Sequence, residues 1–120
     1  MSTIFGDVKK FIGITAENTA FDDDLLALTN GAFSVLTRVG ATGEEGFNVT
    51  TTTTWEEYST DVKLVNMTKE YIRYRVKISF DSSTMSSFVL SSYEKLAEEA
   101  LWTVNNYADY WNQQNGGGDT

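Results

Sequence analysis

The sequence predicts an all-α protein: a small bundle of three main helices, short helices at the N-terminus and around Trp55, an extended loop and a C-terminal tail. Three observations predict it. Residues 22–39, 61–80 and 86–111 repeat apolar side chains at steps of three and four, the period of a helix with a buried face. Helix start and stop residues flank these segments. A chain of 120 residues with 41% hydrophobic content makes one domain with a single modest core. The domain is expected over residues 1–111 and a flexible tail over 112–120.

Residues 6–13 place Val8, Phe11 and Ile12 on one side of a short helix, with Gly13 as its stop. The segment 22–39 carries Leu25, Leu28, Ala32, Leu36 and Val39 as its stripe, widened by Leu26 and Phe33. Asp22, Asp23 and Asp24 stand where a capping carboxylate accepts a free backbone N–H and complements the helix dipole. Gly40, after Arg38, fits the C-terminal cap. Gly31 disfavours the helix by about 1 kcal/mol relative to Ala and is read as a close helix crossing. Residues 41–54 form a loop whose five-Thr run is open to two readings, short strand or flexible arm. Thr54 and Glu57 have the spacing of a capping box.

The segment 61–80 has two apolar stripes. One is Leu64, Met67, Tyr71, Tyr74 and Ile78; the other is Val65, Ile72 and Val76. Burial on two sides predicts a central helix, broken by Asp81-Ser82-Ser83-Thr84. The segment 86–111 steps through Tyr93, Ala97, Ala100, Val104, Tyr107 and Trp111. The tail beyond it has no periodicity and ends in a glycine run.

Composition excludes several chemistries. With no Cys and no His, there is no thiolate, no imidazole base and no imidazole metal ligand, so catalytic triads and zinc-histidine sites are ruled out. Net charge is −8, from 9 basic and 17 acidic residues, which disfavours phosphate backbones and anionic lipid. No apolar run approaches the ~20 residues of a membrane span. The N-terminus lacks a signal-like apolar core, so the cytoplasm of the cell that makes the chain is the expected compartment. Charge is uneven: residues 63–80 hold five basic side chains against Glu70, and the rest of the chain is acidic.

Each chemical candidate has an ordinary structural reading beside it. Asp22-Asp23-Asp24 suits a hard cation, but helix capping explains it. The pairs Glu56-Glu57 and Glu98-Glu99 diverge by about 100° on a helix, so neither makes a catalytic dyad. No catalytic residue, metal ligand or cofactor site is assigned. Lys69, Arg73 and Lys77 run along one helix face, a weak phosphate signal. They are assigned to ion pairs, within the chain or between subunits. The last helix is rich in aromatics, a type enriched at protein interfaces. Trp102 lies off its apolar stripe, and Tyr110 and Trp111 abut the tail.

In layout the chain resembles the head–tail connector (adaptor) proteins of long-tailed bacteriophages. The resemblance rests on DVKKFIGI (7–14), FDDDLLALTNGAFSVLTRVG (21–40), EGFNV (45–49), TWEEY (54–58), VKLVNMTKEYIRYRVKISFD (62–81) and ALW (100–102), in that order and spacing. The family often has prolines after Phe-Asp, whereas this chain continues Asp81-Ser82-Ser83 and has no Pro. The resemblance implies a structural virion protein without enzyme activity, located at the neck. It implies a ring, commonly a dodecamer, under the portal protein, with a stopper or tail-completion protein below. Genome DNA passes through the channel without specific binding. The portal-facing segment is then 102–120, with Trp102, Tyr107, Tyr110, Trp111, Asn112, Gln113 and Gln114 as contact candidates. The alternative from the acidic composition is a DNA-mimicking inhibitor of a nucleic-acid enzyme.

Overall fold

The computed structural model describes residues 2–115, with side chains through Tyr110. It contains five α-helices: α1 (Ile4–Ile12), α2 (Asp22–Arg38), α3 (Trp55–Tyr58), α4 (Val62–Asp81) and α5 (Ser87–Asn115). A 3₁₀ turn, Ser82–Thr84, joins the last two, where the Asp-Ser-Ser-Thr break was expected. The all-α expectation holds, with no strand among the described residues.

Helix α1 starts earlier than its apolar pattern suggests, because Thr3 caps it by accepting the Gly6 N–H at 2.9 Å. That extra turn buries Ile4 and Phe5 beside Val8. Gly13 ends the helix at φ 88°, and the Ile14 N–H turns back to the Lys9 carbonyl at 2.9 Å. Helix α2 closes in the same way. Gly40 stands at φ 86°, and the Ala41 N–H reaches the Leu36 carbonyl at 2.9 Å. A left-handed residue there satisfies carbonyls the helix leaves open.

Two expectations for α2 are corrected. Its N-cap is Phe21, with no side-chain cap bond, so the three aspartates lie inside the first turn rather than capping it. There they still meet the positive end of the dipole. Asp22 also binds the buried Lys9 ammonium at 2.9 Å. Gly31 is exposed, and a Cβ built on it meets nothing within 4 Å, so it marks no helix crossing.

The loop over 41–54 is neither a strand nor a free arm. Asn30 of α2 grips Val49 from both sides: its Oδ1 accepts the Val49 N–H at 2.7 Å, and its Nδ2 donates to the Val49 carbonyl at 3.0 Å. Farther on, the Ile4 N–H donates to the Thr53 carbonyl at 2.9 Å, and Thr3 and Thr54 form an isolated antiparallel bridge. The expected capping box opens α3. Glu57 accepts the Thr54 N–H at 2.9 Å, and Thr54 accepts the Glu57 N–H at 3.3 Å.

Helix α4 is central, as its double stripe predicts. It packs on α1, α2 and α5, and α1 packs on α2. Phe33, Leu25, Leu36, Ile4, Val8, Ile72, Val76 and Val104 are fully buried. Full burial of a side chain of this size stabilises by about 1.5–3 kcal/mol, and α4 contributes to the core from two faces. Phe33, Phe47 and Tyr58 cluster at 5.3–5.4 Å between ring centres, Tyr58 edge-on to both phenylalanines, sealing the loop against α2. Tyr58 donates to the Ala41 carbonyl at 3.0 Å and shares a 2.9 Å bond with Thr68. Burial pushes its hydroxyl up to about 12.

Candidate functional site

From Ala97 onward, α5 is built with two unlike faces. Ala97, Val104 and Ala108 are buried, following the stripe read from the sequence. Small residues at these places let α5 lie close along α4. The outward face carries Trp102, 68% exposed, and Tyr110, 61% exposed. An indole left in water on a helix whose other face is sealed is a large apolar surface with no partner among the described residues.

Tyr107 has a different place from Trp102 and Tyr110. It turns toward the start of α4 and donates to Asp61 Oδ2 at 2.6 Å. Asp61 is the N-cap of α4, and its other oxygen accepts the Lys63 and Leu64 N–H groups at 3.0 and 3.3 Å. The Tyr107 hydroxyl, with those N–H groups adding, holds the Asp61 carboxyl below its ordinary value. Reciprocally, Asp61 pushes the Tyr107 hydroxyl up. Tyr107 thus ties α5 to α4 and lines a groove of about 580 Å³ with Gly40, Val62 and Ala108. The side chains of Trp111, Asn112, Gln113 and Gln114 lie outside the described residues, although the helix backbone continues through Asn115, past its expected end at Trp111. Residues 116–120 of the expected tail lie outside them altogether.

Lys69, Arg73 and Lys77 of α4 each have an intrachain carboxylate. Lys77 pairs with Asp81 at 2.7 Å, whereas Lys69 to Asp7 and Arg73 to Glu70 are both 3.9 Å, beyond hydrogen-bond reach. Aromatic rings hold the latter two cations from below. Lys69 lies 5.2 Å from the Trp55 ring centre, and Arg73 lies 5.3 Å from that of Phe11. Asp7 itself is occupied by the Trp55 indole N–H at 2.7 Å.

Among the described residues no group of three or more Asp and Glu side chains is placed to hold a metal ion. Also among them, no helix is long and apolar enough to cross a membrane. The arrangement instead offers surfaces: an aromatic outward face on α5 and a cationic stripe on α4. Sequence reasoning found Trp102 because it falls off the apolar stripe. It missed the Asp61–Tyr107 tie, whose only signal was an Asp just before a helix and a Tyr on the buried stripe.

No curated protein and no solved structure matches the chain. One family model, described as phage connector protein, matches residues 4–111, which takes in the first four helices and α5 as far as Trp111.

Proposed function

The chain belongs to the phage connector protein family, a family of structural proteins, and from that premise we propose that it is a head–tail adaptor: a ring, a dodecamer by family precedent, seated under the portal at the neck of the virion. It continues the DNA channel and receives a stopper or tail-completion protein on its far side. The segment 102–120 meets the portal. The observation that carries this reading is the pair of exposed aromatics, Trp102 and Tyr110, on a helix already packed along its inner face. Aromatic anchors of this kind contribute most of the affinity at protein interfaces. The acidic surplus supports a conduit role, since a wall of negative charge does not hold phosphate. The DNA-mimic alternative gains no support from a match to structural proteins.

Tyr107 has an internal role besides, so removing the whole segment would disturb the α4 corner. The cleaner test is Trp102→Ala with Tyr110→Ala, which changes only outward side chains. Cosedimentation with purified portal is expected to fall at least tenfold, with the thermal unfolding midpoint within 2–4 °C of the wild type, on the order of a 0.5 kcal/mol change. Wild-type cosedimentation by a folded double variant would overturn the portal assignment.

A further inference from the structure

The amino-terminal half of α5 has its own uncovered surface, separate from the aromatic end. Phe88 is 81% exposed, the most exposed large apolar side chain described, and Leu96 is 40% exposed. Beside them stand Glu98 and Glu99, both exposed. This half of the helix is apolar and net acidic, with Glu94, Glu98 and Glu99 outnumbering the exposed Lys95. On α4, the strip left open between α1 and α5 is cationic. Arg73 lies over Phe11 of α1 on one side, while Glu70 and Tyr74 line a groove with Leu96 and Glu99 on the other.

Resting on the ring reading above, we infer that the outward half of α5 from Phe88 to Glu99 docks on the cationic stripe of α4, Lys69 and Arg73, in a neighbouring copy of this chain. Charge complementarity selects this occupant. The acidic face would be repelled by other acidic surfaces of the same chain, and the stripe is its one concentrated block of positive charge. Both cations are poised for a partner, with carboxylates no nearer than 3.9 Å and an aromatic ring beneath each. Arg73 remains 55% exposed.

The two faces also sit at the same height. Tyr74 of α4 touches Tyr93 of α5 at 6.0 Å between ring centres, so the basic and acidic segments lie level across the pair. A rotation about an axis parallel to these helices therefore brings one face onto the other without axial climb. A head-to-tail contact without climb closes into a ring rather than a filament.

The chain has no cysteine, so introduced thiols are the only ones in it. The test is Glu98→Cys with Lys69→Cys, which the Tyr74–Tyr93 contact puts level, assembled on purified portal and oxidised, with native mass spectrometry reporting the ring. A second pair, Glu99→Cys with Lys69→Cys, guards against local misfolding of the first. The expected result is a ladder of disulfide-linked oligomers from each double variant and monomer alone from each single variant. Dimers from Glu98→Cys alone would mean that two α5 faces meet, and would overturn the inference. Rings of normal mass without a ladder would overturn it too, while leaving the ring itself standing. If portal, in ring-free mixtures, protected the thiol of the Glu98→Cys variant from maleimide, the face would belong to portal instead. Absence of any ring would overturn both this docking mode and the function it rests on.

Discussion

Asn30 shows what one amide does in a helix that has no propensity reason to hold it. Its side chain satisfies both backbone groups of Val49 and also donates to the Leu26 carbonyl at 3.1 Å. Replacing it with Leu strips two partners from a part-buried loop, at about 1–3 kcal/mol for a lost buried hydrogen-bonding group. Asn30→Leu is expected to lose about 2 kcal/mol by urea denaturation; an unchanged midpoint would show that the loop is held by its aromatic contacts alone. Lys9 works on the same scale. Its buried ammonium is met by the Asn18 carbonyl at 2.6 Å, the Ala16 carbonyl at 3.2 Å and Asp22. Neither role was legible in the sequence. Periodicity locates a residue on a face, but these bonds run to irregular backbone whose path follows from the fold.

At the scale of elements, start and stop chemistry was the legible part. Gly13, Gly40 and the Thr54–Glu57 box act where their spacing says they should. The cap bond expected of Asp22–Asp24 and the crossing expected at Gly31 failed for a common reason: the pattern shows the residue type but not what faces it. Gly31 is a helical glycine in open space, so Gly31→Ala is expected to stabilise by about 1 kcal/mol, read as a rise in melting temperature. A fall would mean that the position is covered. The Asp61–Tyr107 bond joins the start of α4 to the far part of α5 and gives that junction a pH dependence. Asp61 is lowered in the fold, so its contribution is complete above the ordinary carboxylate value and is lost as pH falls through the shifted one. Tyr107 is raised, so its contribution is complete below the ordinary phenol value and is lost as pH rises through the shifted one. Tyr107→Phe removes the phenol's contribution and the largest cause of the Asp61 shift, leaving the α4 N–H groups still holding the carboxyl down. The stability difference from wild type, measured by thermal melts, is expected to be flat between about pH 5 and 9 and to shrink outside that window. A difference constant down to about pH 2 would show that the bond contributes nothing.

For the whole molecule, the sequence placed α4 at the centre because two stripes need two neighbours, and α1, α2 and α5 supply them. The outward aromatics of α5 were legible as residues left over from that packing. The level of its acidic half against the cationic stripe was not, since no periodicity within one helix carries its height against another. The burial of α1 against α4 has a consequence for synthesis. Ile4, Phe5 and Val8 reach their final partners only once Ile72 and Val76 have been made, and Asp7 meets Trp55 across 48 residues of chain. At ~5–20 residues per second, the first half of the polypeptide waits for seconds on the ribosome with Phe33 and Leu36 still wet. Its greatest hazard is thus the interval before α4 emerges, when sticky nascent chains crowd a cell making many copies at once.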